Sequence, residues 1–386
     1  MNQSRKRYPQ KRRPARGYNK PQKPARREFT HLPLAIIGGG AAGLFAGCMA
    51  GESGLPALIL ERKHKPGRKI LMCGNGRCNF TKDISAEQML RDIGEPSAAF
   101  LKHSLTALPP AAIQRWFKQH RLILKQMPDR RIFPKSEKAS DVLHILTDTL
   151  RDTSTSLCLN ATVTLIEPTT HPVKGFRITT DNFKLFAQNI LIATGGVSYP
   201  KTGSVGDGQK FAKALGHSLR PYRPGLIGFV TDHPWIQSRA GHTFEDVTMR
   251  ILTNGKQVYE KSGFLDCENW GLGGAAAYNA SRWIARHQPK NFDIEWTIQG
   301  ETIRIQKPGT RPLKEAIVTV GGIPLNEINP RTMESTRCPG LYFAGEIMDV
   351  DGPTGGYNLS IAFATAKAAV DAIKQMSPMT TSTPVS

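Results

Sequence analysis

The sequence predicts an α/β protein in which a dinucleotide-binding domain is interrupted by a β-rich second domain. Two glycine-bearing segments far apart in the chain support this prediction, IIGGGAAG at residues 36–43 and LYFAGE at residues 341–346. The third observation is a stretch rich in strand and turn signals over residues 217–330. We expect the two glycine segments to form two walls of one site, so that the chain leaves the first domain and later returns to it.

The N-terminal segment has the order of elements that a dinucleotide fold requires. The apolar run 34–37 predicts a buried strand, and a helix is expected to begin at Ala41. Gly38 allows a tight turn, Gly40 lets the backbone approach a pyrophosphate, and Gly43 permits close packing of the helix. Unpaired N–H groups and the dipole at the helix N-terminus favour an anion there.

A second strand and an acidic residue follow at the expected spacing. The apolar run 57–60 ends in Glu61, eighteen residues after Gly43. A carboxylate in this position accepts hydrogen bonds from the ribose hydroxyls of a bound dinucleotide. Strand, glycines, helix, strand and acid in this order predict a dinucleotide-binding fold.

A secretory signal is the competing interpretation of the same segment, because residues 32–50 are uncharged and follow a basic pair. Against it, six glycines between positions 38 and 51 are poor helix formers. Cleavage before Cys48 would also discard the glycine turn. No other uncharged stretch approaches the length that spans a bilayer, so we expect a cytoplasmic protein without a membrane partner.

Composition predicts a globular protein without a structural metal. Apolar residues make up 39% and aromatic residues 8% of the chain, as in soluble domains. The six cysteines include no CxxC pair, so neither a disulfide framework nor a zinc site is expected. Cys73 and Cys78 bracket Gly-Asn-Gly-Arg at a spacing that would suit a redox-active disulfide. Two thiols that merely share a glycine-rich loop are the simpler interpretation.

Basic charge is concentrated at the N-terminus. The formal net charge is +21, and residues 1–27 hold eleven Lys or Arg and no acidic residue. The segment also contains Tyr8, Tyr18 and several prolines, so a disordered basic tail is predicted over residues 1–29. Arginine beside tyrosine suits RNA, through phosphate neutralisation and stacking on bases. A solvated tail without a partner is the alternative.

The middle of the chain shows helix and strand patterns in succession. Helices are predicted over residues 86–150, interrupted by a basic strand at 129–134. A β meander is predicted at residues 161–166, 175–180 and 183–187, with a separate buried strand at 189–193. The glycine-rich run 203–208 precedes a helix but does not directly follow a buried strand, so only one dinucleotide fold is expected.

The C-terminal segment is predicted to complete a flavin site. Residues 341–344 are expected to form a strand that ends in Gly345 and Glu346, whose carboxylate can hold ribityl hydroxyls. Gly356 precedes a final helix opening at Asn358, where N–H groups can stabilise negative charge on reduced flavin. The two segments together predict an FAD enzyme, with NAD(P)H docking transiently as the reductant.

Six motifs in order resemble those of the BaiN/RdsA family of flavoproteins. They are GGGAAGLFAG, GRKILMCGNGRCNFT, RRIFPKSEKASDVL, NILIATGGVSYPKTGSVGDG, AIVTVGGIPLNEINPRTMES and PGLYFAGEIMDVDGPTGGYNLSIAFATA. The resemblance implies a Rossmann-like FAD-binding domain of the glutathione-reductase type (three-layer ββα) over residues 30–200 and 335–376. A β-rich substrate domain over residues 201–334 interrupts it, and residues 377–386 are expected to be disordered.

Carried over by position, the resemblance implies FAD contacts in both glycine segments and in the loops between them. The residues concerned are Ala42, Glu61, Arg62, Arg68, Lys69, Gly76, Asn79, Val163, Glu346, Asp349, Asn358 and Leu359. Two features depart from the family pattern. Cys73 stands where the family usually has serine, and only residues 296–314 occupy the place of a sizeable helical insert.

One branch of the family is similar to an enzyme that reduces a uridine of 23S ribosomal RNA to dihydrouridine. This chemistry needs hydride transfer to C6, a polarised C4 carbonyl and an acid that protonates C5. Cys78 is the leading candidate acid because its loop is expected to border the flavin ring, although it could simply pack as a small apolar residue. Tyr199 and His217 are the next candidates.

Two other functions are compatible with the sequence. The first is NAD(P)H- and FAD-dependent reduction of a small hydrophobic unsaturated molecule, which is similar to the other named activity of the family. The second is a non-catalytic flavoprotein that associates with RNA.

Overall fold

The computed structural model describes residues 31–171, 173–298 and 300–376. The predicted basic tail over residues 1–29 and the predicted disordered C-terminus over residues 377–386 lie outside these ranges, so both stay predictions.

The chain begins with the predicted strand, helix and strand, and the helix starts at Ala41 as expected. The elements up to residue 192 are β1 Leu32–Ile37, α1 Ala41–Glu52, β2 Ala57–Glu61, β3 Thr81–Lys82, α2 Ala86–Ile93, α3 Ser97–Ala107, α4 Pro110–Gln119, β4 Leu124–Gln126, β5 Arg131–Pro134, α5 Ala139–Arg151, β6 Ser156–Leu159, β7 Val163–Thr169, β8 Gly175–Thr180 and β9 Lys184–Ile192. Residues 32–50 therefore form β1, the glycine turn at 38–40 and most of α1, all within the first domain.

The remaining elements form the second domain and then the return of the chain to the first domain. They are α6 Asp207–Ala214, β10 Arg220–Gly225, β11 Phe229–Val230, α7 Pro234–Gln237, β12 Thr243–Thr253, β13 Lys256–Glu268, β14 Gly271–Gly273, α8 Gly274–His287, β15 Asp293–Ile298, β16 Glu301–Gln306, β17 Gly309–Thr310, β18 Val318–Gly322, β19 Leu341–Phe343 and α9 Tyr357–Met376. Within the described residues, no helix combines the length and the apolar character needed to cross a membrane.

The central sheet is parallel and brings the two glycine segments together. β1 pairs with β2 and β9, β2 pairs with β6, and β9 pairs with β19, all in parallel. β1 and β19 therefore flank β9, and their carboxyl ends meet at one edge of the sheet. Ligands of open α/β sheets bind outside this edge.

Two separate strands were predicted at 183–187 and 189–193, but the structure has one continuous strand there, β9. Its first half pairs antiparallel with β8, with Phe176 opposite Ala187, and its second half pairs in parallel with β19, with Leu341 opposite Ile190. Gln188 interrupts the apolar pattern in the sequence. Because its side chain is exposed to solvent, it fits within the strand, and β9 continues through it. β7 and β8 complete the predicted antiparallel meander beside the parallel sheet.

The second domain is an antiparallel sheet with the helices α7 and α8 packed against it. Its seven strands lie in the order β16, β15, β12, β13, β14, β11, β17. α8 packs on β12 and β13, and a separate core forms around buried residues such as Trp235, Met249 and Trp296. The segment 296–314, where the resemblance implies a helical insert, includes the end of β15 together with β16 and β17.

The second core is narrower than the predicted range of 201–334. Its buried residues run from Phe229 to Ile303. Ala212 on α6 and Ile323, Ile328 and Met333 after β18 pack instead in the first core. Because residues 201–228 are rich in charged residues and glycine, their sequence pattern does not indicate which core they pack in.

A buried polar cluster holds the segment after α6 to the segment before β19. His217 Nδ1 lies 2.9 Å from Glu327 Oε2 and Nε2 lies 2.8 Å from Ser335 Oγ. Glu327 also accepts hydrogen bonds from the Ser218 hydroxyl at 2.6 Å and the Arg337 guanidinium at 2.8 Å. The cluster joins α6 to the segment before β19.

Stability should depend on pH through Glu327. Burial alone would raise the pKa of Glu327, but hydrogen bonds from Ser218, Arg337 and His217 outweigh it and lower the pKa from 4.5 to about 2. Because the folded-state pKa lies below the unfolded value, the stabilisation is fully present above about pH 4.5 and is lost as the pH falls toward 2. We expect the difference in free energy of unfolding between wild type and Glu327→Gln to shrink across this window. Denaturant unfolding measured at a series of pH values checks it, and a difference that does not change with pH would contradict it.

Candidate active site

A cavity of about 920 Å³ lies at the carboxyl edge of the parallel sheet and extends to the second domain. Its walls include the glycine turn after β1, the loop after β2, residues following β9 and β19, and the start of α9. Residues of β12, β13 and α8 close it from the other side. The cavity therefore has a dinucleotide-type wall and an opposite wall made by the second domain.

The glycine turn has the geometry that its predicted roles require. Gly38 has φ of 106°, and its N–H donates to Leu60 O at 2.9 Å. A Cβ on Gly43 would lie 1.9 Å from Gly38 O, so only glycine lets α1 pack this closely on the turn. A Cβ on Gly40 would meet nothing within 4 Å. The backbone at Gly40 therefore faces open space at the N-terminus of α1, where an anion is favoured.

Glu61 is held at the end of β2, facing the cavity. Its carboxylate accepts hydrogen bonds from the Gly39 N–H at 2.8 Å and from the Lys63 N–H at 2.7 Å. These two backbone donors fix the orientation of the side chain beside the glycine turn. Each carboxylate oxygen can accept a further hydrogen bond, so Glu61 can still receive one from a hydroxyl in the cavity.

The C-terminal wall touches the N-terminal one. A Cβ on Gly345, whose φ is 73°, would lie 3.2 Å from the Ala42 Cβ. The loop after β19 therefore packs against the first turn of α1. This contact confirms the expectation that the two glycine segments form adjoining walls.

A charged network positions Glu346 in this wall. Lys69 Nζ lies 2.6 Å from Glu346 Oε2 and donates to Ser198 Oγ at 2.8 Å. The Thr319 N–H donates to Glu346 Oε1 at 2.7 Å. The loop after β2, the segment after β9, β18 and the loop after β19 thus meet at one carboxylate.

The first turn of α9 forms the far end of the same wall. Asn358 accepts from the Gly352 N–H at 2.9 Å and donates to the Gly352 carbonyl at 3.1 Å, which holds the preceding loop. A Cβ on Gly356 would lie 2.5 Å from Thr81 O, so this turn packs tightly on β3. Gly356 and Asn358 both line the cavity, and unpaired N–H groups at the helix start favour an anion or an electron-rich ring edge.

These features fit an extended dinucleotide such as FAD. The open space at Gly40 suits a pyrophosphate, the carboxylate of Glu61 suits a ribose, and the start of α9 suits the ring at the opposite end. The predicted cofactor residues that line the cavity are Gly38, Gly40, Ala42, Glu61, Arg62, Arg68, Lys69, Asn79, Val163, Gly345, Glu346, Gly356, Asn358 and Leu359. Their individual contacts with FAD stay predictions.

Three other predicted residues are not among those that line the cavity. Gly43 packs on the turn, as expected. The Gly76 carbonyl accepts from the Ala139 N–H at 2.7 Å, so this glycine anchors α5. Asp349 pairs with Arg286 at 2.6 Å and accepts from the Gly321 N–H at 3.1 Å. Its carboxylate is turned toward the second domain, so the structure does not place it as a cofactor contact.

Of the three candidate acids, the structure brings only Tyr199 to the cavity. Cys78 is 0% exposed and does not line it, which corrects the leading prediction. The neighbouring Cys73 lines the cavity instead. His217 is held in the buried cluster with Glu327. Burial raises the pKa of Tyr199, and Glu315 adds to the effect, so its hydroxyl keeps its proton at neutral pH.

Sequence reasoning missed the residues that the second domain contributes. Lys261, Asp266, Trp270 and Tyr278 line the cavity from β13, the turn after it and α8. No motif marks them, because they approach the first domain only through the packing of the two domains. Arg311, whose guanidinium lies 5.1 Å from the Trp270 ring centroid, also belongs to this wall.

Comparison with known proteins identifies the family. The profile described as "HI0933-like protein Rossmann domain" matches residues 32–372. The chain is 28% identical to the ribosomal RNA dihydrouridine synthase of Escherichia coli K12, over 86% of this chain and 95% of that protein. It is 27% identical to the 3-dehydro-bile acid delta(4,6)-reductase of Clostridium scindens, over 86% of this chain and 96% of that protein.

Solved structures share the fold. The 3-ketosteroid-delta4-(5alpha)-dehydrogenase of Rhodococcus jostii RHA1 matches with a TM-score of 0.58 at 13% identity, covering 91% of this chain and 98% of that one. The quinol fumarate reductase subunit FrdA of E. coli matches with a TM-score of 0.56 at 15% identity, covering 90% and 70%. With the profile match over most of its length and the two glycine segments in one cavity wall, the chain belongs to the HI0933-like Rossmann-domain family of FAD-dependent oxidoreductases.

Proposed function

We propose that this oxidoreductase reduces a uridine of 23S ribosomal RNA to dihydrouridine. The observation that carries the proposal is the continuous cavity between the cofactor wall and the second domain, with cationic side chains among its lining residues. Two relatives at 28% and 25% identity are named ribosomal RNA dihydrouridine synthases, from E. coli and Haemophilus influenzae. A base extruded from RNA needs a deep space, and the phosphates that flank it favour cations nearby.

The chain's own residues would hold FAD along one wall. The turn at Gly40 and the start of α1 would receive the pyrophosphate, and Glu61 would accept from the adenosine ribose. Glu346, oriented by Lys69, would accept from ribityl hydroxyls, and the start of α9 would face the pyrimidine end of the ring. When bound, FAD supplies the hydride, and we propose NAD(P)H as its reductant.

Tyr199 is the residue that we propose as the proton donor. It lines the cavity and has φ of 51°, a conformation that is uncommon for a residue with a side chain and is often found at functional sites. The Tyr199 N–H donates to Lys314 O at 3.1 Å, which fixes this backbone beside the second domain. Its raised pKa keeps the phenol protonated, as a general acid must be before transfer.

Cations around the cavity suit an RNA backbone. Lys82, Arg131 and Lys261 line the side formed by β3, β5 and β13. Extruding a stacked base costs a few kcal/mol, which phosphate contacts at such residues can offset. We propose that the basic segment 1–27 adds to this binding, and that the enzyme acts in the cytoplasm, where ribosomal RNA is found.

The test uses 23S RNA from an E. coli strain that lacks its own ribosomal RNA dihydrouridine synthase. We expect the purified holoprotein with NADPH or NADH to form one dihydrouridine, measured by nucleoside mass spectrometry. Tyr199→Phe should retain FAD but lose turnover. Tyr222→Phe is the matched control, since Tyr222 is half-buried with a pKa also raised by burial but does not line the cavity. RNA that stays unmodified while the flavin is reduced by NAD(P)H would disprove the proposal.

A second candidate is reduction of a small unsaturated hydrophobic molecule. The apolar side chains of Leu226, Ile227, Phe264 and Trp270, which line the cavity, favour it. So does the 27% identity to the bile acid reductase. This function predicts oxidation of NAD(P)H with an unsaturated 3-ketosteroid in the absence of RNA, and the same assay without RNA separates the two.

A further inference from the structure

Cys73 and Cys78 are brought together by a tight glycine turn. The Cys78 N–H donates to Cys73 O at 2.9 Å, which closes the loop between them. Gly74 and Gly76 have φ of 57° and 82°, so the chain reverses direction with little steric cost. Both thiols are free, and this backbone hydrogen bond holds the two cysteine residues side by side at the ends of the turn.

The two thiols have different environments. Cys73 lines the cavity, whereas Cys78 is 0% exposed behind it. The neighbouring Cys78 thiol lowers the pKa of the Cys73 thiol against the opposing effect of burial, and Lys69 adds to the lowering. The Cys73 thiol, and after it burial, raise the pKa of Cys78. An accessible thiol with a lowered pKa beside a buried partner is the arrangement of an attacking and a resolving cysteine.

The other four cysteines lack such a partner among the described residues. Cys48 is buried and donates to Leu146 O at 3.3 Å. Burial raises the pKa of Cys158, Cys267 and Cys338 as well as that of Cys48. Redox chemistry is therefore expected at one place.

We propose that Cys73 and Cys78 form a reversible dithiol–disulfide couple in the wall of the cavity. The Cys73 thiolate attacks a small external disulfide such as oxidised glutathione, forms a mixed disulfide and releases one thiol. Cys78 then loses its proton and attacks the Cys73 sulfur, so that the Cys73–Cys78 bond forms and the second thiol leaves. Overall two cysteines are oxidised, one external disulfide is reduced to two thiols, and both cysteine protons pass to these products.

The couple lies in the wall that we assign to the flavin, so its oxidation state can alter that wall. This consequence rests on the proposed function, whereas the couple itself does not. A closed disulfide would tether the loop 73–78 next to Asn79, which lines the cavity. The loop conformation would then depend on the thiol–disulfide ratio of the surroundings.

Mass spectrometry of the full-length protein tests the couple directly. The protein is equilibrated with mixtures of reduced and oxidised glutathione, free thiols are alkylated after denaturation, and the chain is digested with trypsin. Cleavage at Lys69, Arg77 and Lys82 separates the two cysteines into ILMCGNGR and CNFTK. We expect these peptides to appear joined by a disulfide in oxidising mixtures and separate again after dithiothreitol, while Cys158 stays alkylated throughout.

Two variants complete the test. Cys73→Ser should leave Cys78 reduced and alkylated at every glutathione ratio, because no accessible thiol starts the exchange. Cys158→Ser, at a partly exposed cysteine outside the site, should leave the joined peptide unchanged. The couple is disproved if no joined peptide forms in the most oxidising mixture, or if Cys73 accumulates only as a mixed disulfide with glutathione. Disulfide formation is measured without any turnover of substrate. Failure of this proposal can therefore be distinguished from failure of the proposed dihydrouridine synthase activity.

Discussion

Gly40→Val is expected to abolish retention of FAD while the protein still folds. The Gly40 backbone has φ of −85°, which any residue adopts, and a Cβ there would meet no protein atom within 4 Å. Added methyl groups would instead occupy the space from which the backbone approaches the pyrophosphate. We expect FAD affinity to fall at least about a hundredfold, or ~2.7 kcal/mol. The flavin-to-protein ratio of purified protein and a titration of the apoprotein with FAD measure it.

Gly43→Ala is the matched control, with the opposite expected result. Its Cβ would lie 1.9 Å from Gly38 O, so the helix or the turn must move even in the protein without FAD. Overpacking of this kind costs about 1–3 kcal/mol of folding stability. We expect a clear loss of apoprotein stability in Gly43→Ala and a smaller one in Gly40→Val, where valine replaces glycine at the N-cap of α1. Equal loss of apoprotein stability in both variants would contradict the assignment of the open space to the cofactor.

Asp351→Asn is expected to cost about 3–5 kcal/mol of folding stability, the range for breaking a buried ion pair. Asp351 is 0% exposed and pairs with Arg282 and Arg286, whose side chains are 13% and 17% exposed. Arg282 also donates to the Ile93 and Asp351 carbonyls at 2.9 and 2.8 Å. An amide of the same shape removes the charge and leaves the nearly buried Arg282 without a carboxylate partner, whereas Arg286 keeps its pair with Asp349. Denaturant unfolding of the apoprotein measures the loss.

The same substitution should loosen the contact between the two domains. Arg282 and Arg286 lie on α8 of the second domain, and Asp351 follows β19 of the first. Asp293→Asn is the control, because Asp293 pairs with the half-exposed Arg304 within the second domain. Exposed pairs contribute about 0–1 kcal/mol, so we expect Asp293→Asn to have little effect. Similar losses in both variants would mean that burial of the Asp351 cluster is unimportant.

Local sequence patterns predicted the parts of the fold that depend on neighbouring residues. The strand before Gly38, the helix at Ala41 and the acid at Glu61 follow from apolar periodicity and from the steric freedom of glycine. The same reasons predicted the strand before Gly345 and the final helix. These elements lie at the site because parallel strands place their carboxyl ends at one edge of the sheet.

Side-chain directions in the loops could not be predicted in this way. Cys73 and Cys78 share one irregular loop with positive φ values, where neither helical nor strand periodicity says which thiol faces the cavity. Asp349 follows Glu346 by only three residues. Its carboxylate nevertheless pairs with Arg286 of the second domain and does not face the cavity. Both outcomes depend on contacts between residues that are remote in the chain.

The amino-acid sequence by itself determined the family, the interrupted architecture and the glycine turn of a dinucleotide site, because each depends on local geometry or on ordered motifs. The tertiary structure alone decided that Tyr199 rather than Cys78 or His217 reaches the cavity, and which residues of the second domain complete it. Burial, charge pairing and the packing of two domains set these positions, and none of them is a property of a short segment.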